Sequence, residues 1–361
     1  MNNSLFNINN SYNDSFTFQV NNSNLSTFVG IIKKNTNQNV RYVMNSESAE
    51  AGNIPSYTMI GASPYTIEIQ TDKLENIDRF DFQAKSNNVI YGHLNLTKLS
   101  GLTYLDVSTS YSLSSVTFPH SDAIWTKLDL GSSALKNLNL STLDNLGGEI
   151  SFYGCPYLTG ITFPNSTQTT SLALTVCNLL TNLDFSPMSG IANSIISINS
   201  NEVLSAITFP YTTETPAKLQ LSSNNSITSY DLTNFVNIGN EIDLSKCTTL
   251  TGVTFPNSTT EITNFEIQSS DSLKTLDLSN LTGLGGIIEL YSNPALTALT
   301  LPNSSTSITN FKCYSTGLYD LDLSTTTGLG GTFYGQSNDN LTAITFPNIS
   351  LAVKELPNPV I

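Results

Sequence analysis

The chain has 361 residues, of which only 12% are charged, with 28 acidic against 14 basic side chains and a formal charge of −14. That balance lacks the basic footprint needed to neutralise phosphates, so nucleic-acid binding is set aside, and an acidic skin opposes docking on anionic lipid. Two His, four Cys and one Trp leave little material for a histidine metal site or a catalytic triad.

The opening residues, MNNSLFNINNSYNDSFTFQV, show neither a basic n-region nor an apolar h-region, so no secretory leader is expected. No apolar run approaches the roughly 18 residues of a membrane span. Residues 1–62 carry no repeat; "SFTFQV" and "FVGIIKK" read as strands between Asn/Ser-rich turns, a small β-rich capping or attachment region. From Pro64, "YTIEIQ" and "RFDFQA" read as irregular first coils of an array over residues 63–347. Residues 348–361 leave the pattern and are expected to cap its far end.

Within the array the signature L-x-x-h-T-h-P starts at Leu113, Leu158, Leu204, Leu250, Leu296 and Leu341, at intervals of 45 or 46. A second series, such as "LTNLDFS" at Leu180 and "LKTLDLS" at Leu273, alternates with it. The unit is therefore about 23 residues, in two flavours that make a 46-residue super-repeat. Before each leucine lies an apolar pair with one residue between, from Leu105/Val107 to Phe311/Cys313, closed by the degenerate Phe333/Gly335. Alternation over three residues predicts a very short strand with one face buried.

Three residues after each pair comes a restricted set: Ser110, Ser133, Cys155, Cys177, Asn201, Asn224, Cys247, Ser270, Asn293, Thr316 and Asn338. The pattern h-x-h-x-x-[N/C/S/T]-x-x-L-x-x-h-x-h-[P/S] resembles leucine-rich repeats, closest to the subtype of bacterial surface antigens, although the Ala-Phe-x-x-Cys box of that subtype is missing. The resemblance covers about 94–347. It implies a mainly β solenoid with short parallel strands on both faces and almost no helix, held by a structural ladder at Cys155, Cys177, Asn201, Asn224, Cys247, Asn293 and Asn338. The thiols are expected to be buried and structural, with a Cys155–Cys177 disulfide between neighbouring coils as the alternative. The Gly pairs in "NLGGEI", "GLGGII" and "GLGGTF" are expected at tight backbone turns.

Because strand side chains alternate, the middle residue of each concave strand faces outward. These are Asp106, Asp129, Ser151, Ala173, Ser197, Gln220, Asp243, Glu266, Glu289, Lys312 and Tyr334. Asp243, Glu266 and Glu289 fall on successive coils, roughly 4.8 Å apart, as an acidic stripe. Tyr153, Tyr291 and Tyr314 follow their strands directly. Tyrosine beside carboxylates suits recognition of sugar or protein, so Asp243, Glu266, Glu289, Tyr291, Tyr314 and Tyr334 are the candidate ligand-binding residues. An open solenoid face offers no cleft to set two carboxyls apart, so no catalytic residue is assigned, and the protein reads as non-enzymatic. No metal or cofactor is expected, calcium at the acidic stripe being the weaker alternative. On the convex side a Thr row (Thr117 to Thr345) faces a row of Asn95, Asn139, Asp184, Asp231, Asp277 and Asp322.

Without a leader, the leading functional expectation is a structural or receptor-binding component of a virion, a bacteriophage fibre or decoration protein. Residues 1–62 would contact other particle proteins, and the solenoid would meet host glycan or protein. A bacterial cell-surface or extracellular leucine-rich-repeat adhesin is the alternative. Homo-oligomerisation is compatible with both.

Overall fold

The computed structural model describes residues 14–20, 30–34, 40–44, 47–50, 64–82, 90–190, 195–303, 306–348 and 352–355. Among these the regular structure is all strand, apart from one 3-10 turn at Leu74–Asn76. The chain divides into two compact units, residues 1–145 and 146–361.

The first unit opens with a four-stranded antiparallel sheet in the order Asp14–Val20, Tyr65–Thr71, Val40–Met44, Glu47–Glu50. Alternation in the first strand buries Phe16, Phe18 and Val20, and Phe18 meets Phe80 and Phe82 edge-on at 5.3 and 5.6 Å. The segment "YTIEIQ" is thus a sheet strand and not the coil expected from its apolar pair. Charged, half-exposed Asp72 occupies the place where a coil needs a small buried ladder residue. The first coil strand is Ile77–Phe82, antiparallel to Gly30–Lys34 on one side and parallel to Tyr104–Asp106 on the other. Lys127–Asp129 then adds in parallel register.

In the second unit ten parallel strands follow one another from Gly148–Ser151 to Ala352–Glu355. The register aligns Leu172, Ile196, Leu219, Ile242, Phe265, Ile288, Phe311 and Phe333, all fully buried. Each such side chain contributes about 1.5–3 kcal/mol of burial free energy, which a lone coil could not collect. The final strand shows that part of the C-terminal tail extends this sheet.

The convex strands explain the super-repeat, because they pair only two by two. Asn182–Asp184 pairs with Ala206–Thr208, Ser229–Asp231 with Gly252–Thr254, Thr275–Asp277 with Ala298–Thr300, and Asp320–Asp322 with Ala343–Thr345. The Asp-flavoured coil supplies the partner of the Thr-flavoured coil, and the proline after each Thr strand, having no N–H, ends the ladder. The Asp side chains turn back on their own backbone. Asp184 accepts from the Ser186 amide, Asp277 from Ser279 and Asp322 from Ser324, at 2.8–2.9 Å. The Asp/Ser spacing is an Asx turn that closes the strand.

At the opposite end of each coil, the residue before the ladder position is left-handed in all eleven cases: Thr109, Ser132, Gly154, Val176, Ser200, Ser223, Lys246, Ser269, Ser292, Ser315 and Ser337. Its amide reaches into the following coil, as from Ser223 to the Ser245 carbonyl at 2.9 Å and from Ser292 to that of Tyr314 at 3.0 Å. The ladder residue beside it then satisfies what the turn leaves open. Asn293 Oδ1 accepts the Ser270 amide at 2.8 Å, while its Nδ2 donates to the Ile267 and Leu290 carbonyls at 3.1 and 2.7 Å. Asn224 and Asn338 repeat the arrangement, and Asn201 does so with its second Nδ2 bond going to Asn224 Oδ1. Buried backbone groups must be paired, so the position admits only small polar side chains.

Two glycines show how tightly the coils approach. A Cβ on Gly283 would lie 2.0 Å from the Thr260 carbonyl oxygen. Gly286, from the "GLGGII" pair, has φ of 60° and would meet the Thr263 oxygen at the same distance. Of the six glycines in the three pairs only Gly148 and Gly286 are left-handed, while Gly331 is required by backbone packing against Thr309 of the neighbouring coil.

Candidate recognition surface

Three rows of side chains stand on the outward side of the concave sheet: the middle residue of each strand and those two before and two after it. In the first unit they form a charged network. Arg79, Tyr104 and Lys127 are register partners in one row, beside Asp81, Asp106 and Asp129 in the next. Arg79 pairs with Asp81 at 2.5 Å, and its guanidinium lies 3.8 Å from the Tyr104 ring centroid. Lys127 reaches Asp106 at 3.0 Å and Asp129 at 3.9 Å. Asp106, expected to face outward as a middle residue, is only 1% exposed, because these longer side chains fold over it. Burial pulls the Lys127 ammonium down, but the hydrogen bond and charge of Asp106 outweigh it and leave its pKa raised.

The second unit brings the sequence-derived candidates together. Asp243, Glu266 and Glu289 are register neighbours, followed by Lys312 and Tyr334. Proximity does not make them one acidic cluster, since each carboxylate has its own partner. Asp243 accepts from the Ser245 amide at 2.9 Å, in the same Asx geometry as the convex row. Glu266 accepts from Asn264 Nδ2 at 2.6 Å and Gln268 Nε2 at 3.2 Å. Glu289 pairs with Lys312 at 2.5 Å, and that hydrogen bond, opposed by burial, raises the lysine pKa. Among the described residues no three His, Cys, Asp or Glu side chains are grouped to hold a metal ion.

Beside this row Tyr291 and Tyr314 stack with ring centroids 4.6 Å apart and planes 9° from parallel. Burial, then the charge of Glu289, raises the Tyr291 pKa. Tyr153, in the same row farther back, is 58% exposed.

Sequence reasoning missed the flanking amides Asn264, Gln268, Asn310 and Gln336. Carrying the period-two rule one step either side of the middle residue locates all four. Three of them hold a buried oxygen with no hydrogen-bond partner: Gln268 Oε1, Asn310 Oδ1 and Gln336 Oε1.

The cysteines are away from this surface. All four are buried and none is disulfide-bonded, so the Cys155–Cys177 disulfide is not formed. Cys177 donates to the Phe152 carbonyl at 3.0 Å and Cys247 to that of Leu221 at 3.4 Å, doing with sulfur what asparagine does elsewhere on the ladder. Burial alone pushes the Cys313 thiol up to about 12.

Comparison with known proteins places this architecture. A model described as the BspA type leucine rich repeat region matches six copies over residues 108–213, 130–242, 190–288 and 221–341. Among solved structures the chain is similar to a leucine-rich repeat protein from Bacteroides ovatus ATCC 8483, at 14% identity over 91% of this chain and 90% of that one, with a TM-score of 0.38. It is also similar to the functional domain of InlJ from Listeria monocytogenes, which includes a cysteine ladder, at 17% identity over 77% and 70% of the two chains, with a TM-score of 0.22. No curated protein matches. With the family model spanning well over half of its length, the chain belongs to the BspA-type leucine-rich repeat family.

Proposed function

We propose that the protein is a non-enzymatic recognition protein of a bacterial cell surface, which meets its partner through the outward side of its concave sheet. Family membership and the resemblance to surface-antigen repeats support this reading over the virion reading, which they do not favour. The observation that carries it is the division of labour within each coil. Core, ladder and left-handed turn positions repeat along the chain, whereas the outward rows change character from coil to coil. Asp243, Glu266, Glu289, Tyr291, Tyr314 and Tyr334 lie in those varying rows and are the residues assigned to partner contact. The partner is a host glycan or protein, and residues 1–62 serve as the capping or attachment region.

Limited proteolysis of intact cells, followed by mass spectrometry of the released peptides, tests the location. Peptides from residues 146–361 released without lysis are the expected result. Protein found only in purified phage particles would overturn the cell-surface reading in favour of a virion component.

A further inference from the structure

The row that begins at Gln268 has a chemistry narrower than general recognition. Gln268, Tyr291, Tyr314 and Gln336 occupy one position on four successive coils, each carbonyl accepting the left-handed amide of the coil before it. The row is therefore a ladder of planar polar groups, roughly 4.8 Å from one to the next. Its two inner members are the stacked phenols.

The ladder is unfinished. Gln268 is 8% exposed, and its amide is oriented by the bond from Nε2 to Glu266, so its oxygen is fixed as the free end. That oxygen, Gln336 Oε1 and Asn310 Oδ1 all lack donors. A buried acceptor without a partner is unfavourable, so a folded chain that keeps three on one face holds an unmet demand for donors.

Which donors fit follows from what is already used. Glu289 is neutralised by Lys312, Glu266 is held by two amides and Asp243 by its own turn. Only the Glu289 charge is cancelled; Glu266 and Asp243 stay anionic, which disfavours an anionic ligand, while their oxygens already face protein donors. The groups still open are neutral amide oxygens and phenol hydroxyls, which pair with hydroxyls without desolvating a charge.

We infer that Gln268, Tyr291, Tyr314 and Gln336, with Asn310 across the middle row from them, form a binding site for an uncharged, hydroxyl-rich ligand, a neutral saccharide. The inference rests on the concave-face reading above. The amide oxygens take ligand hydroxyls after a small pivot of each side chain, and the tyrosine hydroxyls serve as donor or acceptor between them.

The test presents the full chain with a panel of neutral oligosaccharides, sulfated oligosaccharides and a lysine-rich peptide, in low and high salt. Binding to at least one neutral member is expected, changing less than about twofold between about 0.05 and 0.5 M salt. Gln268→Met and Tyr314→Ala should each weaken it by about tenfold or more. Gln268→Met should do so with little change in the denaturation midpoint, because removing the unsatisfied oxygen offsets the lost Nε2 bond to Glu266; a purely structural glutamine would lower the midpoint instead. Gln336→Met provides a second variant of the same kind. The inference is overturned if no neutral member binds, if only the sulfated or basic probes bind, or if the variants leave binding unchanged. A surface-exposed protein that binds no neutral saccharide sinks this inference alone, whereas saccharide binding by a protein absent from the cell surface sinks the localisation alone.

Discussion

The two concave faces use similar residue types to opposite ends. In the first unit Arg79, Lys127 and Tyr104 fold over Asp81 and Asp106, so the charged groups hold one another and Arg79 Nε is the one donor of this network left without a partner. In the second, Glu266, Glu289 and Lys312 also pair, but amide oxygens and stacked phenols next to them remain open. A row of carboxylates on a solenoid is therefore no sign of a site. What distinguishes the two faces is which polar groups are left over once neighbouring coils have bonded to each other.

The largest effects should come from positions that the two regions share. A Cβ at Gly101 would lie 2.0 Å from the Glu75 oxygen, matching the clash of Gly283 with Thr260. Gly101→Ala and Gly283→Ala should each lower stability by about 3 kcal/mol or more, whereas Gly330→Ala, with open space around it, should stay within about 0.5 kcal/mol. Chemical denaturation reads all three. Equal losses at Gly101 and Gly283 mean one scaffold under both faces, and a tolerated alanine at either would break that equivalence.

Removing charges should then separate the faces. Asp106→Ala leaves Lys127 with only the longer contact to Asp129 over a buried gap and should cost about 2–4 kcal/mol, while Glu289→Gln in the partly buried pair with Lys312 should cost about 1 kcal/mol. The raised lysine pKa sets the sign of its pH dependence. The contribution of Lys312 is complete below its unfolded pKa and is lost as pH rises through the higher folded value, so Glu289→Gln should flatten the alkaline limb of the stability curve.

Much of this was legible beforehand. Eleven copies of the apolar pair and of the following ladder residue specify coil, core and turn, because repetition averages away local ambiguity. The left-handed serines were not legible: φ near 60° normally selects glycine, yet seven of the eleven turns use Ser and one uses Val176. Hydrogen bonds to the next coil hold that backbone, and no residue type announces them. Replacing Val176 by Gly should raise stability by about 0.5–1 kcal/mol, and a decrease would show that the side chain compensates for its strain. The strand at "YTIEIQ" resembles a coil in sequence because only Asp72, at the ladder position, separates the two. The pairing of each carboxylate is not legible from the middle positions alone, because the partners of Asp243 and Glu266 lie two residues away in the same coil and that of Glu289 lies on the next coil.

Smallest of all should be the convex row. The Thr233 hydroxyl and amide hold the Asp231 carboxyl below its usual pKa. That stabilisation is present above the unfolded pKa and fades as pH falls through the folded one. Asp231→Asn keeps an oxygen for the turn, as Asn139 does for Ser141, so neutral stability should be nearly unchanged and its acid dependence reduced. A large neutral-pH loss in the denaturation curve would instead assign the convex charge a role of its own.

The most direct test sets one tyrosine from each face side by side. Tyr104→Ala and Tyr314→Ala are compared for binding to the neutral oligosaccharide panel and for denaturation midpoint. The prediction is that Tyr104→Ala lowers the midpoint and leaves binding intact, whereas Tyr314→Ala loses binding and shifts stability by no more than about 1 kcal/mol. Binding lost with Tyr104 and retained without Tyr314 would contradict the account.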